Sequence, residues 1–171
     1  MKVLILDVDG VLTSGSFIYS AEGKMFKCFG PDDNDAISLL AKFIKVRCIT
    51  GDRKGFEISR RRIVEDMNLR LDLVSTIKRT SWIADQYELA EVIYMGDGIF
   101  DHYVMKRVSY SIATNDSDSN AKKYANFVTK RNGGNRAVAE ACMHILKKFF
   151  IRYNPEKKLN KNIKFSGKWK T

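Results

Sequence analysis

Apolar residues in this chain fall into short runs closed by polar residues or glycine, and these runs alternate with longer stretches in which apolar positions recur at helical spacing. Lys2 to Leu6 is such a run and ends at Asp7 and Asp9, the pattern of a buried strand that delivers polar groups at its carboxyl end. Phe17–Ser20 and Met25–Phe29 flank the turn-like tetrad Ala21-Glu22-Gly23-Lys24 and predict a small hairpin. Pro31-Asp32-Asp33-Asn34 opens a helix running to about Ile44, with Ile37, Leu40, Ala41 and Ile44 on one face. Val46–Ile49 is a second buried strand. The alternation continues with a helix from about Gly55 to Met67, a strand at Leu71–Val74, a helix from about Lys78 to Tyr87 and a strand at Val92–Met95. A helix near His102–Arg107, a strand at Tyr110–Ala113, a helix near Ser119–Tyr124, a strand at Phe127–Thr129 and a last helix from Ala137 to Phe150 complete it. Such regular alternation predicts an α/β fold with a mainly parallel sheet flanked by helices, whose site lies at the carboxyl ends of the strands.

A length of 171 residues at 44% hydrophobic content supports one core of ordinary size, expected over residues 1–150. The net charge of +10 raises polyanions such as nucleic acid as partners, but much of it sits in the tail. There Arg152, Lys157, Lys158, Lys161, Lys164, Lys168 and Lys170 face only Glu156. Residues 151–171 therefore read as a basic, solvated extension, with polyanion binding or docking on a neighbouring subunit as the alternatives. No stretch has the length of apolar residues a membrane span needs, and carboxylates stand where a signal peptide would stay apolar, so a soluble, cytoplasmic protein is expected. Cys28, Cys48 and Cys142 are odd in number, lack Cys-x-x-Cys spacing and lie in apolar surroundings, which reads as reduced core thiols.

The polar residues that follow the expected strands carry the chemistry. They are Asp7 and Asp9 after the first, Thr50-Gly51-Asp52 after the second, Lys78 at a helix start, and Gly96-Asp97-Gly98-Ile99-Phe100-Asp101 after the fourth. In a parallel sheet these positions converge. Asp7, Asp9, Asp97 and Asp101 gathered at one end would repel one another unless a hard cation held them, and Mg²⁺ takes a few carboxylates together with waters and substrate phosphate. An ionised Asp7 beside such an ion is able to attack phosphorus and form an aspartyl-phosphate. Asp9 stands where it could protonate the leaving alkoxide and later deprotonate the attacking water. Thr50, Gly51 and Lys78 are candidates to bind the transferring phosphoryl oxygens, Lys78 also offsetting the charge of Asp7. Arg53 and Arg136 are further candidates for substrate binding. Taken singly, Asp-x-Asp is also a helix cap or turn, Gly-Asp-Gly an ordinary loop and a lone lysine a solvated side chain. Their order, each after a strand, carries the reading.

In that order the motifs resemble the haloacid dehalogenase superfamily of phosphohydrolases, whose first motif Asp-x-Asp-Gly-x-Leu-Thr matches Asp7 to Thr13 in full. The resemblance implies a Rossmann-like fold, Asp7 as nucleophile, Asp9 as acid/base, and Mg²⁺ held by Asp7, Asp97 and the main-chain carbonyl of Asp9. The gaps from Asp9 to Thr50 and from Thr50 to Lys78 are short, which implies a member without a cap domain. Over roughly residues 1–150 the chain is similar to 3-deoxy-octulosonate 8-phosphate phosphatases and their nonulosonate 9-phosphate relatives. The hairpin, Ile49-Thr50-Gly51, Val104-Met105 and Gly133-Gly134-Asn135-Arg136-Ala137-Val138 carry that similarity. It implies a phosphorylated sugar acid as substrate and a homotetramer built on the hairpins.

The departures fall at substrate-facing positions. Asp32-Asp33-Asn34-Asp35 stands where that family has Arg-Asp-Gly, Asp52 precedes Arg53 where arginine follows Thr-Gly, and Gly98 replaces the second carboxylate of Gly-Asp-Asp. His102 and His144 are lone helix histidines without ligand spacing, and Arg60, Arg61 and Arg62 read as a solvated face. Two other functions stay open: a polynucleotide 3′-phosphatase, favoured by an open site and a basic tail, and a non-catalytic binding subunit, disfavoured because Asp7, Asp9, Thr50, Lys78 and Asp97 are all present.

Overall fold

The computed structural model describes residues 1–157. Its centre is a six-stranded, wholly parallel sheet in the order β5-β4-β1-β6-β7-β8. The strands are β1 (Val3–Asp7), β4 (Lys45–Thr50), β5 (Arg70–Leu73), β6 (Val92–Gly96), β7 (Tyr110–Ala113) and β8 (Phe127–Val128). β2 (Thr13–Ser20) and β3 (Gly23–Phe29) form a separate antiparallel hairpin. The helices are α1 (Asp33–Leu40), α2 (Phe56–Arg60), α3 (Arg79–Ala84), α4 (His102–Met105), α5 (Ser119–Tyr124) and α6 (Ala137–Phe149). The expected α/β class, the hairpin after the first strand and the alternation all hold.

Side-chain alternation on β1 explains the layers. Leu4 and Leu6 point into a core with Ile37 and Leu40 of α1 and Val138, Cys142 and Ile145 of α6. Val3 and Ile5 point the other way, onto Ile83 of α3, Val104 of α4 and Ala121 of α5. Both faces are covered, so every residue of β1 is buried.

Boundaries differ where the chain has to turn. α1 ends at Leu40 rather than near Ile44, because Phe43 and Ile44 both donate to the Leu40 carbonyl in a tight turn that lets Lys45 bond Lys2 and start β4. The helix expected from Gly55 to Met67 widens to a π-type turn over Arg61–Asp66. Cys48 and Cys142 are buried thiols as expected, whereas Cys28 lies exposed on the hairpin. Its neighbours there, Phe26 and Ile18, are themselves exposed, so apolar surroundings in sequence did not make a core. Among the described residues no helix is long and apolar enough to cross a membrane. The tail is described only to Lys157, so most of the segment read as solvated lies outside the described residues.

Candidate active site at the carboxyl end of the sheet

Strand order reverses beside β1: the chain first builds outward through β4 and β5, then returns to add β6, β7 and β8 on the other side. A parallel sheet leaves a crevice beyond the carboxyl ends of its strands at such a point. Asp7 closes β1 there, and Asp97 follows β6. A cleft of ≈ 570 Å³ opens over them, lined by Asp7, Asp9, Gly51, Arg53, Arg79 and Asp97, among others. A larger cleft of ≈ 740 Å³ lies at the amino ends of the strands, beside Met1, Lys45 and Glu91, and shares none of these residues.

The segment after β1 is shaped to hold its carboxylates apart. Val8–Leu12 makes one wide turn whose backbone breaks from helix at Asp9 and at Gly10, where φ is +87°. Thr13 stitches the turn: its Oγ1 donates to the Val8 carbonyl and accepts from the N–H groups of Gly10 and Gly15. Only glycine fits at position 10, since a Cβ there would stand 2.0 Å from Asp97 Oδ2. The double glycine closes the turn from outside. Gly134 N–H donates to the Val11 carbonyl at 3.0 Å, and a Cβ on Gly133 would stand 1.9 Å from the Gly10 carbonyl oxygen. Gly133-Gly134 is thus the packing partner of the Asp7–Thr13 loop.

Asp7 is clamped by an arginine that the sequence reading did not single out. Arg79 Nη1 donates to Asp7 Oδ2 at 2.6 Å and Nη2 to Oδ1 at 2.9 Å, a bidentate pair, while Val8 N–H donates to Oδ1 at 2.8 Å. Arg79 Nη1 also reaches Asp101 Oδ1 at 2.7 Å and Tyr94 Oη at 2.9 Å, and Tyr94 donates its own proton to Asp101 Oδ1 at 2.6 Å. Asp101 Oδ2 accepts the N–H groups of Asp97 and Gly98, both at 2.9 Å. Both oxygens of Asp101 accept protein donors, which ties Arg79 to the turn after β6.

Lys78 stands elsewhere. It is exposed at the end of the 3₁₀ turn Thr76–Lys78 and does not line the cleft, so the positive charge next to Asp7 belongs to Arg79. One residue along a helix rotates the side chain by about 100°, enough to turn it from core to solvent. The signal was present in the sequence: Ile83, a core residue, lies four positions after Arg79, on the same face of α3. Arg136 is also displaced. It adopts a left-handed backbone ahead of α6 and pairs with Asp32 at the surface, outside the cleft lining. Arg53 and Gly51 do line the cleft. Thr50 is buried behind it, its Oγ1 donating to Asp9 Oδ2 at 2.8 Å.

Charge balance favours a cation. Asp7, Asp97 and Asp101 each present an oxygen within 4.8 Å of the others, and Asp97 Oδ1 is buried with no hydrogen-bond partner. Burial lifts the Asp7 carboxyl to about 7 against the pull of Arg79. Burial, followed by the charges of Asp7 and Asp101, lifts that of Asp97 to about 8. A dication reverses this logic by favouring the charged carboxylates. The donor set is all hard oxygen, as Mg²⁺ requires.

The profile of haloacid dehalogenase-like hydrolases matches residues 84–142. The chain is 33% identical over 152 residues to the 3-deoxy-D-manno-octulosonate 8-phosphate phosphatase KdsC of Salmonella typhi, a match covering 83% of this chain and 77% of that protein. The corresponding enzyme of Yersinia pestis is 30% identical over 156 residues, covering 85% and 80%. Among solved structures, the cobalt-bound phosphatase of Haemophilus influenzae aligns with a TM-score of 0.75 at 30% identity, over 86% of this chain and 88% of that one. The Moraxella catarrhalis phosphatase, in complex with magnesium, phosphate and KDO, aligns with a TM-score of 0.74 at 26% identity, over 86% of each chain.

Proposed function

The chain belongs to the haloacid dehalogenase-like hydrolases and is a phosphoric monoester hydrolase, and we propose that it cleaves the phosphomonoester of a phosphorylated sugar acid, of the 3-deoxy-octulosonate 8-phosphate or nonulosonate 9-phosphate type, through an aspartyl-phosphate on Asp7. The observation that carries this reading is the clamped Asp7 carboxylate at the floor of a cleft that also holds Asp9, Asp97 and the cation Arg53. Likeness to sugar-acid phosphatases over most of the chain supports the substrate class.

In the first half-reaction a carboxylate oxygen of Asp7 attacks phosphorus, the P–O bond to the sugar breaks, and Asp9 passes its proton to the departing oxygen. In the second, water attacks the same phosphorus, Asp9 takes the water proton, and Asp7 leaves as carboxylate with inorganic phosphate released. Before attack Arg79 donates to both oxygens of Asp7, which sets the orientation of the nucleophile. Arg53 at the mouth is a match for the substrate carboxylate. Asp7 and Asp97, with the main-chain carbonyl of Asp9, would hold Mg²⁺, which when bound offsets the negative charge of the phosphoryl group.

Residues 1–150 are the catalytic unit in this reading. The hairpin exposes Phe17, Ile18, Tyr19, Met25 and Phe26 on a two-stranded ribbon that has no core of its own, which supports a homotetramer assembled through the hairpins. Three free thiols fit a reducing, cytoplasmic setting.

Phosphate release from a panel of phosphorylated sugar acids, neutral sugar phosphates and a 3′-phosphorylated oligonucleotide, each with Mg²⁺, tests the proposal. The highest kcat/KM is expected on a sugar acid. A preference for the oligonucleotide, or none across the panel, refutes the substrate assignment, and full activity in Asp7→Asn refutes the mechanism.

A further inference from the structure

The hairpin and the loop after β4 meet behind Asp9 in a closed ring of polar contacts. Thr50 Oγ1 donates to Asp9 Oδ2 and accepts from Asp52 N–H at 3.0 Å. Lys27 Nζ lies 2.7 Å from Asp9 Oδ1 and 2.9 Å from Asp52 Oδ2, which closes the ring. Lys27 also donates to Ser59 Oγ at 2.9 Å. Lys24 pairs with the same oxygen of Asp52 and covers the ring of Phe17, its ammonium 3.4 Å from the centroid. The Lys27 side chain is 0% exposed. Gly55 makes room for this packing: a Cβ there would stand 2.2 Å from Asp52 Oδ2 and 2.7 Å from Lys27 Cε.

A buried ammonium persists only where anionic or polar partners surround it, because its desolvation is costly. Lys27 has two carboxylates, and one of them, Asp9, fronts the cleft while Lys27 does not line it. Asp52 is fixed in turn: its Oδ1 accepts the Gly55 N–H at 3.1 Å. Burial would raise its carboxyl, but the bonds from Lys24, Lys27 and Gly55 outweigh burial and hold it down at about 2, so it stays anionic.

We propose that Lys27 and Asp52 are positioning residues for Asp9, Lys27 fixing the direction of its carboxylate from behind and Asp52 fixing Lys27. The inference rests on the reading of Asp9 as the proton-transfer group. Proton transfer needs donor and acceptor within about 2.6–3.2 Å, and a displacement of about 1 Å lowers rate by about a hundredfold. The step concerned is the first half-reaction, in which the P–O bond to the alcohol breaks, its electron pair goes to the leaving oxygen and the Asp9 proton joins it. An alkyl oxygen needs that proton; a nitrophenolate leaves without it.

The test measures single-turnover phosphorylation of the full chain with Mg²⁺ on an alkyl phosphomonoester and on 4-nitrophenyl phosphate, in wild type, Lys27→Met, Lys27→Arg and Asp52→Asn. Lys27→Met is expected to slow the alkyl ester at least about tenfold and the aryl ester less than about threefold, with the half-saturating concentration nearly unchanged, and Lys27→Arg to restore part of the difference. Because Lys27→Met leaves two carboxylates facing each other, Asp52→Asn, which keeps the ammonium on Asp9, is read beside it with thermal melts of each. It is expected to show the same selectivity at about threefold. Equal losses on both esters, or no selective loss in Asp52→Asn, overturn the proposal. With a phosphorylated sugar acid as the alkyl ester, wild-type inactivity on both esters instead refutes the proposed function, and this inference with it.

Discussion

Replacing Arg79 by methionine is the sharpest test of how Asp7 is held. The residue is 2% exposed, and its guanidinium donates twice to Asp7 and once to Asp101. Methionine fills the space of the aliphatic stem and leaves two buried carboxylates without their cation. Removing one partner of a buried, hydrogen-bonded pair costs about 3–5 kcal/mol. In a domain of this size about 1 kcal/mol moves Tm by roughly 2–4 °C, so a fall of about 6–20 °C is expected for the metal-free protein. Added Mg²⁺ should recover part of it, because a dication replaces the missing positive charge. Activity should fall by about 10²–10³, the size of effect seen when one charge-stabilising donor is lost from a site. Lys78→Met is the paired control: an exposed side chain off the cleft should change stability by less than about 0.5 kcal/mol and turnover by less than about twofold. Thermal melts with and without Mg²⁺, together with steady-state phosphate release, measure both variants. A harmless Arg79→Met, or a crippled Lys78→Met, would refute the reasoning and return the cationic role to Lys78.

Gly10→Ala should lower Tm and raise the Mg²⁺ concentration needed for half-maximal turnover at least about tenfold, because the residue needs a positive φ and a Cβ would strike Asp97 Oδ2. An unchanged Mg²⁺ requirement would count against Asp97 as a ligand. Asp33 gives the pH test. Burial lifts its carboxyl from 3.8 to about 6 in the fold despite the bond from Ala139 N–H, so between those values the folded state binds the proton that the unfolded state has released. Stability then falls as pH rises from about 4 to about 6. Asp33→Asn should flatten that part of the urea-midpoint profile, and an unaltered slope would show that Asp33 does not cause it.

Most of the scaffold was legible because burial writes itself into strand sequences. β7 and α5 fall where the apolar pattern put them, and β1, β4 and β6 lie within a residue or two. Asp7, Asp9 and Asp97 could be located because each follows such a strand. The cation could not be fixed by that rule. Lys78 and Arg79 are adjacent and both basic, and only the phase of α3, set by Ile83 in the core, decides which one turns inward. Where Arg136 points was hidden for a different reason: its orientation depends on a left-handed residue and on Asp32, more than a hundred positions away, and no local pattern reports either.

The hairpin shows most plainly what spacing alone hides. As sequence it is a short ribbon inserted between the nucleophile and the first long helix, and nothing in its spacing says where its lysines point. In the fold, Lys24 and Lys27 of β3 point inward to Asp52 and Asp9, while Phe17 lies under Lys24 and Ile18 and Phe26 face outward. The same ribbon therefore presents an ion-pair face to the cleft wall and an apolar face to solvent. Asp52, anomalous beside the relatives when considered alone, becomes intelligible as the counter-charge of two lysines. An arginine in its place would put a third cation beside them and leave Lys27 with Asp9 as its only anion. The negative charge at position 52 and the lysines at 24 and 27 are thus one feature of this fold. A double-mutant cycle between Asp52→Asn and Lys24→Met should reveal it as a coupling of about 0.5–3 kcal/mol, the range for residues that share one network, whereas simple additivity would mean that the two sites are independent.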